Sequence, residues 1–167
     1  PENAKELQKN LIYHLATGVG EPLSIIHVKA LMLARIICLT KGYSAISLNS
    51  FQTLVDFFNL EILPIIPKLG TVGASGDLTP LAHMTLVLMG ESDVIYQGKR
   101  KSAKTVIKKC KLKPLDLGPK DGLALVNGTS AMCGMMSLQL NSFQTLLDLQ
   151  TICSAWLCLA LDGRTEA

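Results

Sequence analysis

An all-α architecture, a bundle of long helices with one small β-hairpin, follows from three features of this 167-residue sequence. Apolar residues recur at three- and four-residue spacing over most of the chain, which gathers them on one face of a helix. One such pattern runs unbroken from Thr129 to Leu161, about 50 Å at 1.5 Å per residue. Strand signals are confined to DVIYQGK at 93–99, with Gln97-Gly98 at the turn.

In chain order, Leu7, Leu11, Ile12 and Leu15 mark a first helix over 3–16, broken by Thr17-Gly18-Val19-Gly20. The run SIIHVKALMLARIICLT at 24–40 is apolar at nearly every turn and stops at Lys41-Gly42. Such a helix is expected to be buried on most sides. A third helix spans 47–62 and is closed by Pro64 and Pro67. After a glycine-rich loop, Asp77 is placed to cap LTPLAHMTLVLM, with Pro80 in the first turn and Gly90 at the end. A small basic helix follows the hairpin at 102–111, and 113–130 read as a proline- and glycine-rich crossing. The long final pattern is interrupted by Gln139, Asn141, Ser142, Gln144, Asp148 and Gln150. It therefore reads as a central bundle helix, shared between subunits, and not as a membrane span.

Composition narrows the function classes. Hydrophobic residues at 49% and charged residues at 17% are apolar for a soluble monomer of this size, so some apolar surface is expected to meet other protein. The net charge of +3 is small. The basic run Lys99-Arg100-Lys101, Lys104, Lys108, Lys109, Lys111 and Lys113 lacks interleaved aromatics. It reads as a solvated face and not as a nucleic-acid site. Cys38, Cys110, Cys133, Cys153 and Cys158 form no CxxC pair and have no nearby histidines. No metal is expected; reduced, buried thiols in a cytoplasmic protein are. No leader pattern is visible at Pro1, and both ends read as cuts through a longer chain. The whole of 1–167 is expected to form one segment of a larger catalytic domain.

The loop GTVGASGDLTP at 70–80 carries the chemistry. If the backbone is pinched at Ala74-Ser75-Gly76, the Gly76 amide nitrogen reaches the Ala74 carbonyl carbon and closes a five-membered ring. Glycine suits the attacking position because it has no Cβ. Loss of one water from the ring and a second from the Ser75 hydroxyl leaves a methylene conjugated to a carbonyl, an electrophile that no standard side chain provides. The N-terminus of the following helix presents N–H groups and positive potential to charge developing on that carbonyl. An ordinary glycine-rich loop remains the simpler reading of the triad alone.

The strings HLATGVGEPL, GTVGASGDLTPLAHM and KDGLALVNGTS together resemble the aromatic amino acid ammonia-lyase family, in order and over nearly the whole chain. The resemblance implies a larger, mainly helical lyase fold and a homotetramer. It also implies a methylidene-imidazolone (MIO) cofactor made from Ala74, Ser75 and Gly76, with elimination of ammonia from an aromatic amino acid to leave an α,β-unsaturated acid. By position, Asn127 matches the family asparagine beside the cofactor, Asp77 the acidic residue after the triad, and Leu78 an apolar residue facing the substrate ring. His14-Leu15 falls on the pair that tracks substrate choice, where the combination His-Leu goes with tyrosine lyases and tyrosine aminomutases. An imidazole can hydrogen-bond a phenol hydroxyl, and discrimination built on a buried polar partner is large. An aminomutase, a histidine lyase and a non-catalytic helical assembly module stay open as alternatives. The family's base and carboxylate-binding residues have no match in Tyr13, Tyr43 or Tyr96. His27 and His83 read as structural, with His83 close enough to help orient the loop.

Overall fold

The computed structural model describes residues 3–164. Helices dominate, as expected, and the described chain divides after Met135 into two compact units.

The first unit is built around α4 (Leu78–Leu88), buried on almost every face through Thr79, Pro80, Leu81, Ala82, Met84, Thr85, Val87 and Leu88. Thr85, polar and fully buried, donates its hydroxyl to Leu81 O at 2.8 Å, so it carries no unsatisfied group into the core. Against α4 pack α1 (Ala4–Leu15), α3 (Leu48–Asn59) and the short α6 (Asp121–Val126). Leu31, Met32, Leu54, Phe57, Ile62, Ile66 and Leu125 fill the spaces between them.

Helix α2 (Ile25–Leu39) departs from the expectation of burial on most sides. It buries one stripe, Val28, Leu31, Met32, Arg35 and Leu39. Ile25, Ile26, Leu33 and Ile37 lie exposed on the other side. The cysteines depart in the same way: Cys38, Cys133, Cys153 and Cys158 are exposed and Cys110 is half-buried. The four exposed ones sit on helix faces that no described segment covers, so apolar neighbours in sequence did not translate into burial, while Cys110 packs against the core.

Helix α3 ends at Asn59, three residues before the expected stop. Ile62 N donates to Phe57 O at 2.9 Å and Glu61 N to Phe58 O at 3.1 Å, with Glu61 at φ +53°. That is a Schellman closure built without glycine. It frees Leu63 and Pro64 to form β2 (Leu63–Pro64), which pairs with β4 (Asp93–Tyr96). The expected hairpin is present: β4 pairs with β5 (Lys99–Ser102) across Gln97 and Gly98, both at positive φ. It is the outer part of a three-stranded sheet, β2-β4-β5. Helix α5 (Ala103–Lys109) buries Ala103, Val106 and Ile107 and leaves its lysines in solvent.

Two connections hold more structure than the sequence predicts. The 113–130 crossing contains α6, whose Asp121 carboxylate is buried. It accepts from Ser47 N (2.8 Å), Ser47 Oγ (2.9 Å), Ser50 Oγ (2.7 Å) and Gly118 N (2.9 Å). Burial pushes this carboxyl up, but the four donors outweigh it and hold it below the ordinary carboxylate value. The second is a two-stranded ladder, β1 (Val19–Pro22) with β3 (Pro67–Leu69), which joins the glycine turn after α1 to the start of the glycine-rich loop.

Helix α7 (Ser130–Ala160) is 31 residues long, matching the expected final helix to within a residue at each end. Ser130, Ala131 and Gly134 are buried in the first unit, and Gly134 lies against the α2 backbone at Ala30. In the second unit, every described residue from Gln139 onward is exposed, including Phe143, Trp156 and Leu157.

Candidate active site

The glycine-rich loop leaves β3 at Leu69 and enters α4 at Leu78, and its two ends are clipped together. Thr79 Oγ1 donates to Gly70 O at 3.2 Å. A Cβ on Gly70 would lie 2.7 Å from Thr79 Cγ2 and 3.0 Å from Gly18 Cα, so only glycine fits. Within the loop, Thr71 Oγ1 accepts from Gly73 N (3.3 Å) and donates to Gly76 O (3.4 Å). The backbone doubles back tightly enough that Ala74 and Gly76 pair across the single residue Ser75.

Gly76 adopts φ +86°, and a Cβ there would lie 2.6 Å from Gly128 O. Position 76 is thus pressed directly on the backbone of the 127–128 turn. The next peptide completes the contact, with Asp77 N donating to Gly128 O at 2.7 Å.

Asp77 does not cap its own helix. It occupies the N-cap position of α4 but makes no side-chain cap bond there. Its carboxylate, fully buried, accepts from Met132 N at 2.8 Å in the first turn of α7. An anion among the unpaired N–H groups of a helix N-terminus is favoured by both hydrogen bonding and the helix dipole. Asp77 therefore locks α7 to the loop, while its Oδ1 is buried without a partner among the described residues.

Asn127 ends α6, donating its backbone N–H to Leu123 O at 2.9 Å. Its carbonyl is held from behind by Arg35, whose Nη2 donates to Asn127 O at 2.9 Å and also to Ala124 O. Arg35 Nη1 donates to Ser130 Oγ at 3.5 Å. Arg35 is 1% exposed, and burial pulls its pKa down. Carbonyls at the C-terminal end of α6 supply its negative potential. The Asn127 residue is exposed, as are Ala74 and Ser75, with Gly76 half-buried. The asparagine and the triad are thus joined through Gly128, on an open face of the first unit.

His14 and Leu15 form the last turn of α1, His14 exposed and Leu15 half-buried; Leu78, also half-buried, opens α4, on which α1 packs. Four residues beyond His14, Gly18 abuts the loop: a Cβ on it would lie 3.2 Å from Thr79 Cγ2 and 2.9 Å from His83 Nε2. His83 Nε2 accepts from Gly18 N at 3.1 Å, so it fixes the turn after α1 and reaches the loop only through Gly18. Burial holds its pKa down, which suits a ring nitrogen that must stay an acceptor. His27 pairs with Ser24 Oγ at 2.7 Å at the start of α2. Tyr13 donates its hydroxyl to Glu91 at 2.7 Å, which raises its pKa. Tyr96 lies beneath Lys101 and Lys109, and Tyr43 is 93% exposed after α2.

Arg35 was missed because a lone arginine in an apolar helix carries no pattern. The only signal was its occurrence where every neighbour predicted burial. Among the described residues no group of three or more His, Cys, Asp or Glu could hold a metal ion, and no helix is long and apolar enough to cross a membrane.

A family model described as aromatic amino acid lyase matches residues 1–167. A histidine ammonia-lyase of Myxococcus xanthus is 43% identical over 97% of this chain and 31% of its own length. A tyrosine ammonia-lyase of Cereibacter sphaeroides is 44% identical over 99% of this chain and 32% of its own. Among solved structures, a phenylalanine aminomutase of Pantoea agglomerans superposes with a TM-score of 0.84 at 42% identity, covering 89% of this chain and 28% of its own. The chain thus spans about a third of the length of the curated relatives it matches.

Proposed function

The chain belongs to the aromatic amino acid lyase family, and on that premise we propose that it is the electrophile-forming segment of an enzyme that eliminates ammonia from an aromatic L-amino acid, tyrosine favoured. The observation that carries this reading is the doubled-back triad: Ala74 pairs with Gly76 across Ser75, and Gly76 is pressed on Gly128 where no Cβ fits. That cradle fits a ring closed between positions 74 and 76. Closing it forms a bond from Gly76 N to the Ala74 carbonyl carbon; the carbonyl oxygen leaves as one water and the Ser75 hydroxyl as another. Once formed, the methylidene-imidazolone supplies an electrophilic methylene. The Asn127 amide, carried on the turn that Gly76 touches, donates to the ring carbonyl or to the substrate carboxylate. Asp77 holds the loop to α7, Leu78 packs on the substrate ring, and His14 with Leu15 selects a phenol-bearing side chain.

The open face and the exposed apolar residues of α7 support assembly with further copies of the protein, in this reading a homotetramer whose other parts complete the site. Relatives at nearly equal identity act on different amino acids, so overall likeness does not choose the substrate; the His14-Leu15 pair does. The test is turnover by the complete polypeptide. Tyrosine is expected to give the unsaturated acid faster than phenylalanine or histidine, and Ser75→Ala is expected to abolish it. A β-amino acid product would make the enzyme an aminomutase. Assembly without turnover of any of the three would leave a structural module and refute the reading.

A further inference from the structure

The geometry points to Arg35 as a positioning residue that holds Asn127 and the triad in register, an inference that rests on the function proposed above. Three layers of backbone and guanidinium meet here without side-chain thickness between them. Gly76 packs on Gly128 O, where an added Cβ would stand 2.6 Å away. Gly128 in turn packs on Arg35, and a Cβ there would collide with Nη1. The same guanidinium donates to Ala124 O, Asn127 O and Ser130 Oγ. It therefore ties the end of α6, the 127–128 turn and the start of α7 to α2 at one point. Asp77 N on Gly128 O carries that constraint into the loop. Arginine suits the task because its planar fork serves several acceptors at once; a lysine ammonium on a flexible stem does not hold the same geometry. Arg35 meets Asn127 at its backbone carbonyl and reaches the triad by way of Gly128, so its effect passes through the turn.

The test uses the complete polypeptide with Arg35→Lys. In a Ser75→Ala background, which cannot form the ring, amide hydrogen exchange is expected to speed up about tenfold at Asp77 and Asn127, with α5 unchanged. In the Ser75 background, kcat per cyclised chain is expected to fall about 10²-fold, the scale of a small misplacement, with KM little changed. In an Asn127→Ala background the same substitution is expected to cost nothing further. Should Arg35→Lys fail to fold, Gly128→Ala displaces the guanidinium from the other side and is expected to give the same local exchange and turnover loss. Unchanged exchange at both amides, or a loss of kcat that simply adds to that of Asn127→Ala, overturns the inference. If no chain cyclises and nothing is turned over, the proposed function fails, while the exchange result still decides whether Arg35 holds the turn.

Discussion

Replacing Asp77 separates the two helices its carboxylate could serve. The side chain precedes α4 in sequence, yet its Oδ2 accepts from Met132 N at 2.8 Å in α7. Asp77→Ala leaves that N–H without a partner at a buried helix end. A hydrogen bond to a charged group contributes about 1.5–3 kcal/mol, and losing an N-cap typically costs about 1 kcal/mol. The unpartnered Oδ1 works the other way, because removing the carboxylate also relieves its desolvation. The net expectation is a loss of about 2 kcal/mol. Asp77→Asn keeps an oxygen for Met132 N and gives up mainly the charge–dipole attraction, about 0.3–1 kcal/mol. Urea unfolding of the complete polypeptide, followed by helicity, gives both values. Hydrogen exchange assigns them to a helix: faster exchange is expected at 130–134 and not in the first turn of α4. An alanine variant as stable as the parent, or exchange that quickens in α4 alone, would refute the assignment of Asp77 to α7.

Other expectations use the same geometry elsewhere. Gly18→Ala drives a Cβ to 2.9 Å from His83 Nε2 and is expected to cost about 1–3 kcal/mol by urea unfolding, as overpacked sites do. The Asp121 carboxyl titrates below its ordinary value when folded, so on acidification the unfolded chain takes up its proton first. Its contribution to stability is complete above an unfolded value near about 4 and is lost as pH falls through the lower folded value. Asp121→Asn is expected to flatten that acid limb in a pH series of melting temperatures. His14→Phe is expected to lower the tyrosine-to-phenylalanine ratio of kcat/KM, on a scale that reaches about 10⁴ when a buried hydroxyl loses its partner.

Periodicity made the helices legible: α2, α3, α4 and α5 bury residues at helical spacing, while in α1, which buries Ile12, and α7, which buries Ser130, Ala131 and Gly134, the apolar spacing is legible in the sequence although most of it stays uncovered. It failed where closure did not use glycine: Glu61 ends α3 at positive φ, and nothing in its chemistry announces that. It failed again at α6, since DGLALV between glycines is too short to show a period. Burial was overestimated for α2 and for the cysteines because an apolar sequence states what a face needs and not whether this chain supplies it. At the site, the triad, Asp77, Asn127 and the His14-Leu15 pair stood out in the sequence. The way they are held together did not. Arg35 behind the turn, His83 on Gly18 and Asp77 on α7 are contacts between residues distant in sequence, and no local pattern encodes them.

The mass of the intact complete polypeptide bears most directly on the ring at 74–76. A parent chain lighter by two waters than its sequence, with the loss localised to the peptide containing Ala74-Ser75-Gly76 and absent in Ser75→Ala, is the expected result. A parent that releases ammonia from an aromatic amino acid at full sequence mass, its backbone open at Ser75, would contradict it.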